Sequence, residues 1–120
     1  MSALSTLKNV QYLMFYYLRN ADSFWDMRYN EALKGIFLSG CKKISYDISA
    51  LCNAPNLEEF LLFGTMDTKY TVRSLEPLKH CPCLKRLWLD CKTEDKLFHP
   101  SDFQHLEVFK YKVDRQKNYT

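Results

Sequence analysis

The apolar residues of this chain recur with a spacing that fits neither an amphipathic helix nor a simple strand. Within residues 33–41, Leu33, Ile36, Leu38 and Cys41 follow one another at intervals of three, two and three residues. Strict alternation would predict a strand, and steps of three and four would predict an amphipathic helix. The mixed spacing is therefore a pattern of its own, and the rest of the chain repeats it.

Five copies of this pattern follow one another along the chain. Successive copies begin 23, 24, 27 and 22 residues apart, at Val10, Leu33, Leu57, Leu84 and Leu106. Positions three, six and nine before each origin are also mostly apolar or small, with Asn30 as an exception. A frame kept at so many positions indicates a tandem array. We expect the extra residues of the longest interval to form a loop at 65–71.

This spacing resembles the leucine-rich repeat, whose unit of about 20–29 residues reads L-x-x-L-x-L-x-x-N/C-x-L. Cys41, eight residues after its origin, stands where that family places Asn or Cys, although the other copies depart there. The resemblance implies an α/β solenoid of about five repeats, with a parallel concave sheet and short helical or 3₁₀ convex segments. We expect residues 1–120 to form a single leucine-rich repeat domain.

Short helices are predicted between the strands. Ile48 and Leu51 are three residues apart, as are Leu75 and Leu78, and this is a helical spacing. Prolines punctuate these segments, because proline lacks the N–H donor that a continuing helix would need.

Function is expected on the strand side chains that point away from the core. If the third and fifth residues after each origin are buried, the second, fourth and sixth face outward. The fourth position is apolar in four of the five copies, and aromatic residues lie beside it. A contiguous exposed apolar patch usually marks a contact surface. The predicted partner-binding residues are Tyr12, Met14, Tyr16, Phe37, Leu61, Phe63, Arg86, Trp88, Asp90, Lys110 and Lys112.

Two of these residues, Phe63 and Trp88, are the expected anchors of the interface, because large aromatic side chains dominate binding hot spots. Misassignment of the outward positions, or burial of the same face in a homodimer, is the alternative interpretation. The two ends of the sheet also differ. Lys110 and Lys112 guard the last strand against edge pairing, whereas residues 11–17 of the first strand carry no charge. Either the first residues and the region of Phe24 and Trp25 cover that first edge, or something else does.

Composition restricts the class of protein. Five repeats use up the 120 residues and leave no room for a separate catalytic domain. A net charge of +3 without a clustered basic patch argues against nucleic acid. No apolar run approaches the roughly 20 residues of a membrane helix, so we expect no membrane partner. An odd number of cysteines, five, favours reduced thiols in a cytoplasmic protein.

The candidate catalytic and metal-binding residues form no recognised motif. His80, Cys81, Cys83 and Cys91 lack the second C-x-x-C pair that would complete a tetrahedral zinc site, and Cys81 fits the repeat as a small buried residue. Cys41 has a structural position in the repeat, which argues against a role as nucleophile. No phosphate-binding motif is present. We therefore predict no catalytic residue, no metal and no cofactor.

The sequence thus predicts a non-enzymatic module that binds a partner protein through its concave face. Short stand-alone arrays of this kind resemble the immunity proteins that bacteria pair with secreted toxins. That resemblance implies a steric toxin inhibitor, in which Lys110 and Lys112 steer an acidic patch of the toxin. A substrate-recognition adaptor and a homodimerising repeat are alternatives, and an enzyme that uses Cys and His is the contrasting class.

Overall fold

The computed structural model of the protein describes residues 4, 6–18, 20–64, 70–94, 100–103, 106–112 and 118–119, without the side chains of 100, 112, 118 and 119. The strands are β1 (Tyr12–Tyr16), β2 (Gly35–Ser39), β3 (Glu59–Phe63), β4 (Tyr70–Val72), β5 (Arg86–Thr93), β6 (Val108–Lys112) and β7 (Asn118–Tyr119). One short α-helix, α1 (Lys42–Ser45), and three 3₁₀ helices, Ser49–Asn53, Glu76–His80 and Pro100–Phe103, lie between them.

The strands form a mainly parallel sheet whose order follows the chain, β1-β2-β3-β5-β6-β7, with β4 beside the end of β5. Five strands, β1, β2, β3, β5 and β6, are parallel neighbours, and β7 is antiparallel to β6. The pairing aligns the same position of every repeat, since Leu13, Ile36, Phe60, Leu87 and Phe109 are successive partners across the sheet. The predicted α/β class, with a parallel sheet and short helical connections, is confirmed.

The core lies on one side of this sheet and is closed by the short helices. At the third and fifth positions after the origin of two copies, Ile36, Leu38, Phe60 and Leu62 are at most 1% exposed. Buried residues of the connecting segments pack against them, among them Ile44, Leu51, Leu78 and Phe103. Full burial of each such side chain contributes about 1.5–3 kcal/mol relative to leaving it in water. The remaining side of the sheet, here called the outer face, carries no helix among the described residues.

The helices form where the spacing of three predicts them. Ser49–Asn53 and Glu76–His80 bury Leu51 and Leu78 respectively, and neither has a side-chain hydrogen bond at its N-cap. Burial of one apolar residue per turn therefore holds these helices, because segments this short are not stable through propensity alone. In the first connection, residues 20–32 form turns and no helix.

The prediction of a loop at 65–71 is wrong for its last two residues. Residues 65–69 lie outside the described residues, but Tyr70 and Thr71 belong to β4, which pairs in parallel with Cys91–Thr93 of β5. The physical reason is burial: Tyr70 and Val72 point into the core, and β5 has eight residues where β2 and β3 have five. The extra residues of the longest repeat therefore extend the sheet. No helix in the described part of the chain is long and apolar enough to cross a membrane.

Candidate functional site

The outer face of the sheet carries three rows of side chains that run across the strands. The first row is Tyr12, Gly35, Glu59, Arg86 and Val108. The central row is Met14, Phe37, Leu61, Trp88 and Lys110, and the third row contains Tyr16, Ser39, Phe63 and Asp90. This is the alignment that the repeat frame predicts, so the structure brings the predicted residues together on one face. Lys112 follows in β6, and its side chain lies outside the described residues.

The side chains of these rows face solvent to different degrees. Tyr12, Met14 and Tyr16 are more than half exposed, and Trp88 is 37% exposed although its neighbour Leu87 is 1% exposed. Phe37, Leu61 and Phe63 are half-buried because their neighbours on the same face flank them. The prediction that the second, fourth and sixth positions point away from the core is confirmed by this contrast. Gly35 is the exception, being buried beneath its neighbours.

A continuous aromatic ladder crosses the outer face, formed by Tyr16, Phe37, Phe63 and Trp88. The ring centroids of successive members are 5.5, 5.4 and 5.5 Å apart, and the rings are tilted or edge-on. Aromatic pairs in this geometry are worth about 0.5–1.5 kcal/mol beyond their buried area. The Nζ of Lys110 lies 4.4 Å from the Trp88 ring centroid and ends the ladder with a cation–π contact.

The ladder zigzags between two rows, and this was missed in the sequence. Phe37 and Trp88 belong to the central row, whereas Tyr16 and Phe63 belong to the third. Diagonal neighbours on adjacent strands are within reach of aromatic side chains. The contacts between the rings therefore do not show when each row is considered by itself. In the sequence they could have been found by comparing the fourth position of one repeat with the sixth position of the next.

A recess, here called the notch, lies beside Gly35, where the first row has no side chain. The Tyr12 ring lies over this glycine so closely that an added Cβ would be 2.7 Å from Cδ1 of Tyr12. The notch has a volume of about 230 Å³, and Met14, Phe37 and Leu61 also line it. It is a mainly apolar recess at the exposed end of the face. The sequence reasoning did not single out Gly35 as part of the site.

Arg86 is paired within its own sheet. Its Nε donates a hydrogen bond to Glu59 at 3.1 Å, and its terminal nitrogens lie 3.7 Å from Glu58 and 3.6 Å from Glu107. The hydrogen bond to Glu59 and the nearby carboxylates raise the pKa of Arg86 further above its ordinary value. Carboxylates thus outnumber the guanidinium here, and Arg86 supports the face locally.

The basic flank of the face is smaller than its sequence suggests. Lys110 is half-buried with its ammonium on Trp88, and Asp90 is half-buried in the same row as Phe63. Lys110 and Lys112 were also expected to guard an open edge, but β7 pairs with that strand through Tyr111 and Lys112. Edge protection at this end therefore includes a covering strand.

The cysteines occupy separate structural positions. The Cys41 thiol lies 3.5 Å from the carbonyl oxygens of both Phe15 and Ser39, where it links the ends of β1 and β2. Burial raises the pKa of Cys81 to about 12, which leaves its thiol protonated at neutral pH. The thiol of Cys83 lies 3.6 Å from the carbonyl oxygen of Pro55. Over the described ranges, no three His, Cys, Asp or Glu side chains converge in a metal-binding arrangement.

Comparison of the chain with protein-family models, curated proteins and solved structures finds no match. The site is therefore defined by its own geometry. That geometry is a broad, mainly apolar outer face with an aromatic ladder at its centre, a notch at one end and a lysine at the other.

Proposed function

We propose that this chain is a leucine-rich-repeat-type solenoid that binds a partner protein through the outer face of its parallel sheet and catalyses no reaction. The single observation that carries the binding role is the aromatic ladder. The ladder is a continuous series of ring contacts on a face that no described helix covers, and its members are Tyr16, Phe37, Phe63 and Trp88. Solvent-facing strand positions in a sheet with one buried side are ordinarily polar.

The repeat assignment is supported by the uniform register. Five parallel strands align the same repeat position with one another, and buried residues from the described parts of the connections pack on the same side of the sheet. Cys41 supports the repeat assignment locally, since its thiol lies near the backbone carbonyls of Phe15 in β1 and Ser39 in β2, as expected for that repeat position. Stacked repeats of this kind bury a shared core and leave one extended surface for recognition.

The chemistry of the face defines the type of partner surface. Because Arg86 is already paired with carboxylates, and Lys110 lies on Trp88, the contact is mainly apolar and aromatic. A partner that presents a protruding apolar segment would cover the ladder and fill the notch at Gly35. Large buried aromatic side chains at the centre of such a contact contribute most of the binding energy.

The narrower form of the proposal is an immunity protein that neutralises a toxin by steric cover. The outer face would then lie over the toxin's active site, so inhibition requires no chemistry from this chain. In this form the face recognises the toxin mainly by apolar contact, and Lys110 also holds the Trp88 ring in place. Steering of an acidic patch of the toxin by Lys110 and Lys112 stays a prediction.

The test is capture of the partner with matched baits. Wild-type protein, Trp88→Ala and the control Lys8→Ala, a substitution of an exposed residue outside the sheet, are used to purify proteins from the native host. We expect one chain to be retained by wild type and by the control but lost with Trp88→Ala. With purified components, calorimetry should show that Trp88→Ala weakens binding by about 2 kcal/mol, or about 30-fold.

Equal binding by wild type and Trp88→Ala would overturn the proposed face. For the narrower form, the captured partner must have an activity that one equivalent of this chain inhibits. A captured partner whose activity is unchanged by saturating amounts of the chain would leave the binding role in place and reject the immunity role.

A further inference from the structure

Among the described residues, the first strand of the sheet pairs with another strand on one side only, that of β2. On the β2 side, the carbonyl of Gln11 accepts hydrogen bonds from Lys34 and Gly35, and the N–H of Tyr17 donates to Ser39. Backbone groups of a strand alternate in direction. The N–H and C=O groups of Tyr12, Met14 and Tyr16 therefore point away from β2, and no described strand lies beside them.

The residues of β1 itself carry none of the usual devices that prevent pairing of a strand with another chain. Exposed edges are commonly protected by charged residues, proline, bulges or a covering segment. Within β1 there is neither charge nor proline, and its five residues pair with β2 in an unbroken register. At the other end of the sheet, β7 covers part of β6. The two edges of the sheet thus differ in their protection, because a described strand covers part of β6 and none covers β1.

We propose that two copies of this chain associate through β1, in an antiparallel pairing with its two-fold axis at Met14. Met14 of one copy then lies opposite Met14 of the other, and Tyr12 of each copy lies opposite Tyr16 of its partner. This register joins two sheets into one continuous sheet. The pairing uses the backbone edge of β1, whereas the side chains of Tyr12, Met14 and Tyr16 also belong to the outer face. The oligomeric state of the chain alone, without a partner, is therefore the readout for this proposal.

Self-complementarity is the reason for choosing a second copy as the occupant. With Met14 at the axis, every outward N–H and C=O of Tyr12, Met14 and Tyr16 finds a partner in the other copy. Each cross-strand pair on the outer face is aromatic or apolar, and no like charges are opposed. A two-fold interface requires this match of one patch with itself.

The inner side of the strand fits the same pairing. Leu13 and Phe15 are only half-buried at the end of the core, whereas their counterparts Ile36 and Leu38 in β2 are at most 1% exposed. In the proposed register, Leu13 of one copy faces Phe15 of the other and covers this end of the core. On the outer side, Tyr12 of the partner copy lies opposite Tyr16, so the aromatic ladder continues across the axis.

The size of the contact predicts a weak dimer. A five-residue strand provides less than the roughly 800 Å² per partner of a standard stable interface. We therefore expect a reversible monomer–dimer equilibrium with a dissociation constant on the order of 10–100 μM.

The experiment is analytical ultracentrifugation of the purified chain from about 5 to 500 μM, a range chosen to bracket that constant. Met14→Lys places two ammonium groups opposite each other at the axis. Met14→Pro removes an N–H that points outward and is not bonded to β2. Met14→Leu keeps the shape and lack of charge. Trp88→Ala removes the ladder's end three strands away from β1, and circular dichroism checks that each variant is folded.

We expect a concentration-dependent dimer for wild type, Met14→Leu and Trp88→Ala, and monomers for folded Met14→Lys and Met14→Pro. If Met14→Pro unfolds the chain, Met14→Lys decides, because that side chain is 60% exposed. Wild type that stays monomeric at every concentration, or a dimer that persists in folded Met14→Lys, would overturn the proposal. So would a dimer that Trp88→Ala abolishes, since that would place the contact on the outer face. Trp88→Ala that loses partner binding but keeps the dimer would distinguish the two functions, because Trp88 lies three strands away from β1.

Discussion

Asn30 is a buried polar residue at a position where the other repeats are apolar or small. It is 3% exposed, and its side chain makes three hydrogen bonds. Its Oδ1 accepts from the Trp25 indole at 2.9 Å, and its Nδ2 donates to the carbonyls of Leu4 and Leu7 at 2.9 and 3.2 Å. The amide therefore ties the segment before β1 to the connection after it. In the repeat frame Asn30 is only a misfit, because two of its three hydrogen-bond partners, Leu4 and Leu7, lie more than 20 residues away in the chain.

We predict that Asn30→Leu lowers the free energy of unfolding by about 1–3 kcal/mol. The substitution leaves the Trp25 N–H and the Leu7 carbonyl without this partner, whereas the Leu4 carbonyl keeps its hydrogen bond from the N–H of Leu7. A buried polar group left unpaired costs about 1–3 kcal/mol. Urea denaturation measures the effect. Asn20→Leu, at an exposed position, serves as the control and should change the free energy of unfolding by less than about 0.5 kcal/mol. Equal stability of the two variants would contradict the assigned role.

Gly40 follows β2 in a left-handed backbone conformation, with φ of +70°. The Tyr17 ring also packs on it, because an added Cβ would lie 2.6 Å from Cδ1 of Tyr17. Tyr17 itself has φ of +55°, so the turns after β1 and β2 have a related shape and lie against each other. Glycine is required at position 40 for two reasons: the left-handed backbone conformation and the close approach of the Tyr17 ring.

Gly40→Ala should destabilise the fold by at least about 1–2 kcal/mol, the cost of left-handed backbone for a residue with a Cβ. The clash with Tyr17 adds to this cost. A double-mutant cycle with Tyr17→Ala separates the two causes by chemical denaturation, since removal of the ring relieves the clash and leaves the backbone strain. A Gly40→Ala variant as stable as wild type would show that this turn does not constrain the chain.

At the scale of the element, β5 shows most clearly how one strand serves two surfaces. Leu87 and Leu89 point into the core and are at most 1% exposed, whereas Trp88 between them is 37% exposed. Successive side chains of a strand point to opposite faces. The core contacts and the proposed partner contacts are thus made by alternate residues of the same strand.

We predict that Leu87→Ala and Trp88→Ala have different effects on stability. Leu87→Ala leaves a cavity in the core and should cost about 2–5 kcal/mol of the free energy of unfolding. Trp88→Ala loses the ring contacts with Phe63 and Lys110 and should cost about 1–2 kcal/mol. Thermal and urea unfolding of both variants test this, and equal destabilisation would contradict the separation of core and outer face.

At the scale of the whole molecule, the sheet has two unlike ends. One end is the uncharged edge of β1, and at the other β7 covers part of β6. The outer face between them carries the aromatic ladder, so edge and face present separate surfaces. In the two proposals, the face takes a partner protein and the edge takes a second copy. Dimerisation would place two outer faces on one continuous sheet and would allow two partners to bind at once.

Much of the fold follows from the periodicity of the sequence. The interval between repeats placed β1, β2, β3, β5 and β6 in their order, and the spacing of three placed the 3₁₀ helices at Ser49–Asn53 and Glu76–His80. The alternation of side chains separated Leu87 from Trp88. These features are local, because strand geometry and the repeat length alone decide which side chains point inward.

Other features depend on contacts between residues that are far apart in the sequence, and only the tertiary structure decided them. The pairing of Arg86 with carboxylates, the diagonal ring contacts of the ladder and the bonds from Asn30 to the carbonyls of Leu4 and Leu7 join residues on different repeats. The position of β4 beside β5 is of the same kind. Apolar periodicity records which side of the chain is buried, whereas the lateral neighbours of a side chain are set only when the strands are packed together.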